Sequence, residues 1–251
     1  MSNDLKTRLA AGEICIGAWL SVPSPLVADA LCSCGFDWMA VDFEHGSANI
    51  DQAQAAFIAA ERHGVVPFAR LSSADPFLAR RLLDSGAAGL IIPVVQDAQE
   101  FSDFARHCLY PPAGTRGVGL GRFNVWGDRF QSYLDDFKPI LIPQIETMAG
   151  VAAADALAAL PEVDGMFIGP YDLSADLGKG GDFKTPEFKT ALSDLKDAFS
   201  RHGKALGIHQ VEPDMTELKA TLADGFTFVA YGTDLVAMRS PFQDLREQLS
   251  R

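Results

Sequence analysis

Eight short apolar runs, separated by longer stretches with helical spacing, limit what this 251-residue chain can fold into. The runs are Ile14–Leu20, Trp38–Phe43, Val65–Ala69, Gly89–Pro93, Ile140–Ile145, Gly165–Ile168, Ala205–Ile208 and Phe226–Ala230. They are near-continuous rather than strictly alternating, the pattern of a parallel sheet covered on both faces. Strands alternating with helices in this number point to an α/β fold, the (β/α)₈ TIM barrel. Such barrels reach ~250 residues as one domain. With no break in composition, residues 1–251 read as a single unit.

Several helix starts are legible. Ser24-Pro25, Asp75-Pro76 and Thr185-Pro186 each put a capping side chain before a proline at the first helical position. Asn49 and Gln52 have capping-box spacing, and Ile50, Ala53, Phe57 and Ala60 share one face of the helix that follows. Residues 233–251 read as a terminal helix, with the periodic part from Leu235 to Leu249. Residues 109–139 show little periodicity. A stretch of that length is rare inside a compact domain unless it is a functional loop, here a lid, a substrate clamp or an intersubunit arm.

In a barrel enzyme the active site lies at the C-terminal ends of the strands. The polar residues there are Asp42, Glu44 and His45 after the second run and Arg70 after the third. Gln144 and Glu146 follow the fifth, Asp172 and Ser174 the sixth, His209 and Gln210 the seventh, and Tyr231 the eighth. Glu146 and Asp172 put carboxylates at two neighbouring strand ends, the oxygen donors that a hard cation such as Mg²⁺ or Mn²⁺ takes. A metal-dependent enzyme is therefore the leading reading. Each residue also has a plainer one. Asp42 and His45 suit helix capping as well as catalysis, Arg70 a surface ion pair, Asp172 the start of a short helix, and His209, Tyr231 and Trp19 core packing.

Other classes are disfavoured. The formal charge is −12, from 33 acids against 21 bases, a balance that repels phosphate backbones and argues against nucleic acid. No run approaches the ~20 apolar residues of a membrane span, and the first residues lack the apolar core of a signal peptide. Cys15, Cys32, Cys34 and Cys108 form no CxxC pair, so reduced thiols in a cytoplasmic protein are expected. Gly117-Val118-Gly119-Leu120-Gly121 lacks dinucleotide-binding spacing, and Gly178-Lys179-Gly180-Gly181 is no P-loop. Lys138 and Lys204 precede their strands, which disfavours Schiff-base chemistry.

The segments Gly17-Ala18-Trp19-Leu20, Val41-Asp42-Phe43-Glu44-His45-Gly46, Pro67-Phe68-Ala69-Arg70, Pro143-Gln144-Ile145-Glu146-Thr147 and Ile168-Gly169-Pro170-Tyr171-Asp172-Leu173-Ser174 run through most of the chain. In this order they resemble the HpcH/HpaI aldolases. These are class II, metal-dependent pyruvate aldolases that include 4-hydroxy-2-oxoheptanedioate and 2-dehydro-3-deoxyglucarate aldolases, and a bacterial hydroxy ketoacid aldolase is the nearest description. The resemblance implies a reversible addition of the enolate of pyruvate or hydroxypyruvate to an aldehyde, giving 4-hydroxy-2-oxo acids.

It also implies roles. Glu146 and Asp172 match the ligands of a divalent cation, Mg²⁺ or Mn²⁺, with Co²⁺ and Zn²⁺ as other candidates. Arg70 matches the arginine on the substrate carbonyl, with Gln144 beside it. Backbone N–H groups of Tyr171 and Asp172 match those receiving the substrate carboxylate, and Trp19 is carried as a substrate contact. His45 and Asp42 match a dyad in which the acid orients the imidazole. Asp84 matches an acid near the neighbouring subunit's site. A homo-hexamer with the terminal helix packed on a partner is implied. The chain departs from the pattern around Gly121–Trp126 and at His209, Gln210 and Tyr231, which are expected to line the acceptor side. An acyl-CoA lyase of the same superfamily, for which Arg116, Arg122 and Arg129 would supply basic groups, and a non-catalytic barrel that binds oxo acids are the alternatives.

Overall fold

In the computed structural model, which describes residues 2–249, eight parallel strands close into a barrel in the order β1 to β8, with β1 paired to β8. The strands are β1 (Cys15–Leu20), β2 (Trp38–Asp42), β3 (Val66–Arg70), β4 (Gly89–Ile92), β5 (Ile140–Ile145), β6 (Gly165–Ile168), β7 (Ala205–Gln210) and β8 (Phe228–Tyr231). Each overlaps its apolar run. The helices are α1 (Ser2–Ala10), α2 (Pro25–Cys32), α3 (Ile50–Arg62), α4 (Pro76–Asp84), α5 (Ala98–Arg106), α6 (Phe130–Asp136), α7 (Met148–Ala152), α8 (Ala154–Ala158), α9 (Pro170–Asp176), α10 (Pro186–Arg201), α11 (Met215–Ala223) and α12 (Asp234–Leu249). Residues 250 and 251 of the expected terminal helix lie outside the described residues.

Alternate strand residues point inward. Trp19, Trp38, Val66, Phe68, Ile91, Ile140, Ile142, Phe167, Phe228 and Ala230 form one buried cluster inside the barrel. Its aromatic rings pack face to face and edge to face, with Trp38 stacked on Phe228 at 4.1 Å between centroids and Phe167 set edge-on to Phe228 at 5.9 Å. Gly17 leaves the space that the Trp38 indole fills, since any Cβ there would overlap the ring. Helix α1 joins this interior through Leu5 and Leu9, both buried. The opposite strand faces, with the surrounding helices, make the second, larger core.

The caps hold in part. Asp75 accepts from the Phe77 N–H, Thr185 from Phe188, and Asn49 with Gln52 forms the full capping box. Ser24 is a correction: its backbone is extended ahead of Pro25, but its side chain makes no cap hydrogen bond. Residues 109–139 are a second correction. They contain a 3₁₀ segment, Arg122–Gly127, and the helix α6, which is too short for its periodicity to stand out. The segment is pinned by Arg116, a buried side chain that pairs with Asp84 at 2.6 Å and lies against Tyr110, Phe123 and Phe137.

Candidate active site

The parity that buries the aromatic rings carries on toward the C-terminal end of the barrel. Two residues beyond Ala40 comes Asp42, beyond Phe68 Arg70, beyond Ile142 Gln144 and beyond Gly207 His209. The inward face thus changes from apolar to polar within one strand length. The β2–β3 register sets Asp42 directly beside Arg70. At this end a cavity of about 300 Å³ is lined by Trp19, Asp42, His45, Arg70, Gln144, Tyr171, Asp172 and His209, among others.

Arg70 is the hub. Its Nε and Nη2 donate to Asp42 Oδ1 and Oδ2 at 3.0 and 2.6 Å. Its Nη1 lies 3.0 Å from Glu44 Oε2, an ion pair in which no hydrogen bond forms, so that this buried oxygen stays without a hydrogen-bond partner. The guanidinium also sits 4.8 Å from the Trp19 ring centroid. Trp19 Nε1–H donates to Asp42 Oδ2 at 3.3 Å, and Asp42 Oδ1 accepts the backbone N–H groups of Glu44 and His45. Burial works to raise the Asp42 pKa. The paired Arg70 contacts and the two backbone donors outweigh it, and the carboxyl is held below its ordinary range.

This geometry changes the expected dyad. Asp42 reaches His45 through the backbone N–H, and its oxygens are committed to Arg70, Trp19 and main chain. The His45 imidazole is exposed at the rim and makes no hydrogen bond among the described residues.

Glu146 lies just behind the lining, 4% exposed. It accepts from the Val94 N–H at 2.7 Å and from Gln144 Nε2 at 2.5 Å. Burial raises its pKa, and the nearby Asp172 charge adds to the rise against those two donors and Arg70. Glu44 is raised in the same way, by burial first and with Glu146 contributing. Gly169 is required here because a Cβ would overlap the Glu146 carboxylate. Val94 holds its N–H in place with φ at +54°, a left-handed backbone that a β-branched residue rarely adopts.

Asp42 and Glu44 pair with Arg70, whereas neither Glu146 nor the nearby Asp172 has an ion pair among the described residues. That surplus of negative oxygen fits a hard divalent cation. Glu146, one residue past β5, and Asp172, in the first turn of α9 after β6, are the carboxylates that could hold one.

Other expected residues fall elsewhere. Asp84 does not line the cavity and is held by Arg116 instead. Gln210 and Tyr231 have the opposite parity. Gln210 Nε2 donates to the Glu212 and Asp214 carbonyls, tying the turn before α11, and Tyr231 packs on the outer core. His209 does face the cavity. Arg116 is paired with Asp84 and Arg122 with Glu61, so these two do not form a free basic groove. The role of Val94 is invisible in the sequence, since a backbone N–H leaves no trace in residue type.

The family described as HpcH/HpaI aldolase/citrate lyase matches residues 15–241. A 5-keto-4-deoxy-D-glucarate aldolase from Shigella dysenteriae serotype 1 (strain Sd197) is 35% identical over 251 residues, covering 99% of this chain and 97% of that protein. One of the same name from Enterobacter sp. (strain 638) is also 35% identical, over the full length of both. Among solved structures, an HpcH/HpaI aldolase/citrate lyase family protein from Burkholderia cenocepacia J2315 superposes with a TM-score of 0.91 at 29% identity, covering 99% of this chain and 100% of that one. With its polar barrel mouth and this full-length likeness, the chain belongs to the HpcH/HpaI aldolase/citrate lyase family and is an aldolase, a carbon–carbon lyase of a group that depends in general on divalent metal ions.

Proposed function

We propose that the mouth binds pyruvate or a related 2-oxo acid such as hydroxypyruvate and adds its enolate reversibly to an aldehyde, giving a 4-hydroxy-2-oxo acid. The observation that carries this reading is the meeting of an unpaired carboxylate couple, Glu146 and Asp172, with a guanidinium that Asp42 holds in a two-point grip. Glu146 and Asp172 hold the divalent cation, Mg²⁺ or Mn²⁺. When bound, it supplies Lewis acidity at the oxo-acid oxygens.

The chain's own residues do the rest. Arg70 donates to the carbonyl oxygen on which negative charge develops, a contribution of roughly 3–4 kcal/mol for a well-placed donor. Asp42 fixes the guanidinium so that little reorganisation accompanies the chemistry. Gln144 completes that wall. The Tyr171 and Asp172 N–H groups open α9 and receive the substrate carboxylate. Trp19 forms the floor. His45, at the rim, exchanges the proton of the new alcohol through water. Asp84 serves the neighbouring subunit's site. The assembly is a homo-hexamer in which α12 packs on a partner, and its support is the exposed stripe Leu235, Met238, Phe242, Leu245 and Leu249 at coiled-coil spacing. The burial that pushes the Cys15 and Cys32 thiols up to about 11 and Cys108 to about 12 suits inert thiols in the cytoplasm.

Deuterium exchange into the pyruvate methyl group tests the reading. Exchange is expected to need a divalent ion and to fall more than about 100-fold in Glu146→Gln. His45→Ala is expected to slow carbon–carbon cleavage more than exchange. If both variants match the parent, the assigned roles are wrong. The compound named in the curated relatives, 5-keto-4-deoxy-D-glucarate, is the first cleavage substrate to try.

A further inference from the structure

With the oxo acid held on the β3, β5 and β6 side, an aldehyde is left the wall made by β7, β8 and β1. That wall presents Val211, the hydroxyl residues Ser21 and Thr233, and one imidazole, His209. His209 is fixed by two contacts. Its Nε2 lies 3.1 Å from the Gly232 carbonyl oxygen. A carbonyl only accepts, so Nε2 carries the hydrogen. The ring stacks on the Trp19 indole at 4.4 Å and 26°, and Trp19 is itself tied to Asp42. The strand register sets His209 beside the small Ala230. In a neutral ring with this tautomer Nδ1 is purely an acceptor. It has no hydrogen-bond partner among the described residues, and the side chain keeps partial exposure at the cavity. An acceptor so placed rewards a ligand that brings a donor and penalises one that displaces its water without replacing the bond.

We propose, building on the aldol reading above, that His209 is a specificity-determining residue whose Nδ1 accepts a hydrogen bond from a hydroxyl of the aldehyde partner, so that hydroxyaldehydes are favoured over plain aliphatic aldehydes. Burial and the Arg70 charge keep the imidazole neutral, with its pKa lowered to about 4, so the acceptor persists through the working range. Val211 alone would show no such preference.

The test compares glyceraldehyde with propanal, which have the same number of carbons, as acceptors for pyruvate. The quantity read is the ratio of their kcat/KM values, parent against variant. His209→Phe keeps an aromatic ring to stack on Trp19 and removes the acceptor. It is expected to lower that ratio roughly tenfold, the worth of one neutral hydrogen bond. His209→Asn restores an acceptor oxygen and is expected to recover part of the preference. An unchanged ratio in His209→Phe, with pyruvate exchange still present, overturns the proposal. Absence of metal-dependent exchange in the parent overturns the aldol reading instead. In case the variants fold poorly, the unaltered protein is read by imidazole ¹⁵N NMR. The His209 Nδ1 resonance is expected to move with glyceraldehyde and not with propanal, and an equal response to both overturns the proposal.

Discussion

The two ends of the barrel interior are built from the same strands yet obey opposite rules. Toward the N-terminal end, Trp38, Phe68 and Phe228 fill the lumen with apolar rings that are completely buried. Toward the C-terminal end the same inward positions hold Asp42, Arg70, Gln144 and His209, with a strained Val94 alongside and two carboxyl groups pushed up in pKa. Stability resides in the ring-packed half, and the unfavourable interactions gather in the polar half. Burying unpaired carboxylates is costly by itself. It is tolerated here because the ring-packed half beneath holds the strands in register.

Phe228→Ala should cost about 3–5 kcal/mol by denaturant unfolding, because its stacked neighbours Trp38 and Phe68 cannot close over the void. Exchange activity in the fraction that stays folded should be affected far less. A cost under about 1 kcal/mol would mean that the aromatic half does not carry the barrel.

A second measurement separates the ends by pH. His209 has its pKa lowered to about 4 by burial, against an unfolded value near 6.5. Between those values the unfolded chain takes up a proton that the folded chain refuses. The stability associated with a neutral His209 is therefore complete above pH ~6.5 and is lost as pH falls toward ~4, by about 3 kcal/mol at most. His209→Phe should flatten this window. Asp42, also held low, loses its contribution as pH falls through its own folded value in parent and variant alike, and cancels in the difference. Equal acid sensitivity of the two proteins between pH 4 and 6.5 would show that His209 titrates normally.

The smallest effect belongs to the backbone. Val94→Gly removes a side chain from a left-handed position while keeping the N–H that Glu146 accepts. Relief of strain should exceed the added flexibility of glycine and raise stability by about 1 kcal/mol. A fall in stability would place the strain elsewhere.

The fold was legible because both faces of every strand are apolar, which marks the strands clearly. That same property hid the parity of the polar residues at their ends. His209, Gln210 and Tyr231 looked equivalent in the sequence, yet only His209 shares the inward phase of Ala205 and Gly207. Glu146 was visible because an acid directly ending a buried run has little solvated surface to face, whereas Asp42, Arg70 and Asp172 each had an ordinary reading and stood out only through their shared place after the strands. The hydrogen bonds that define their environment were not visible. Asp42 pairs across a strand register with Arg70, and Glu146 depends on a main-chain donor far away in sequence. Helix α1 and the short α6 are not legible because neither opens on a capping side chain followed by proline, as α4 and α10 do.

Trp19 touches both sides of the cavity, bonding Asp42 through its indole nitrogen and stacking on His209 through its ring. Under the proposed roles, donor activation and acceptor choice would share a single partition. Trimming that indole to widen the chamber for bulkier aldehydes would loosen the arginine clamp in the same stroke, whereas replacing the imidazole leaves the indole–carboxylate tie in place. Engineering of substrate scope in this scaffold should accordingly begin at β7 and leave β1 alone.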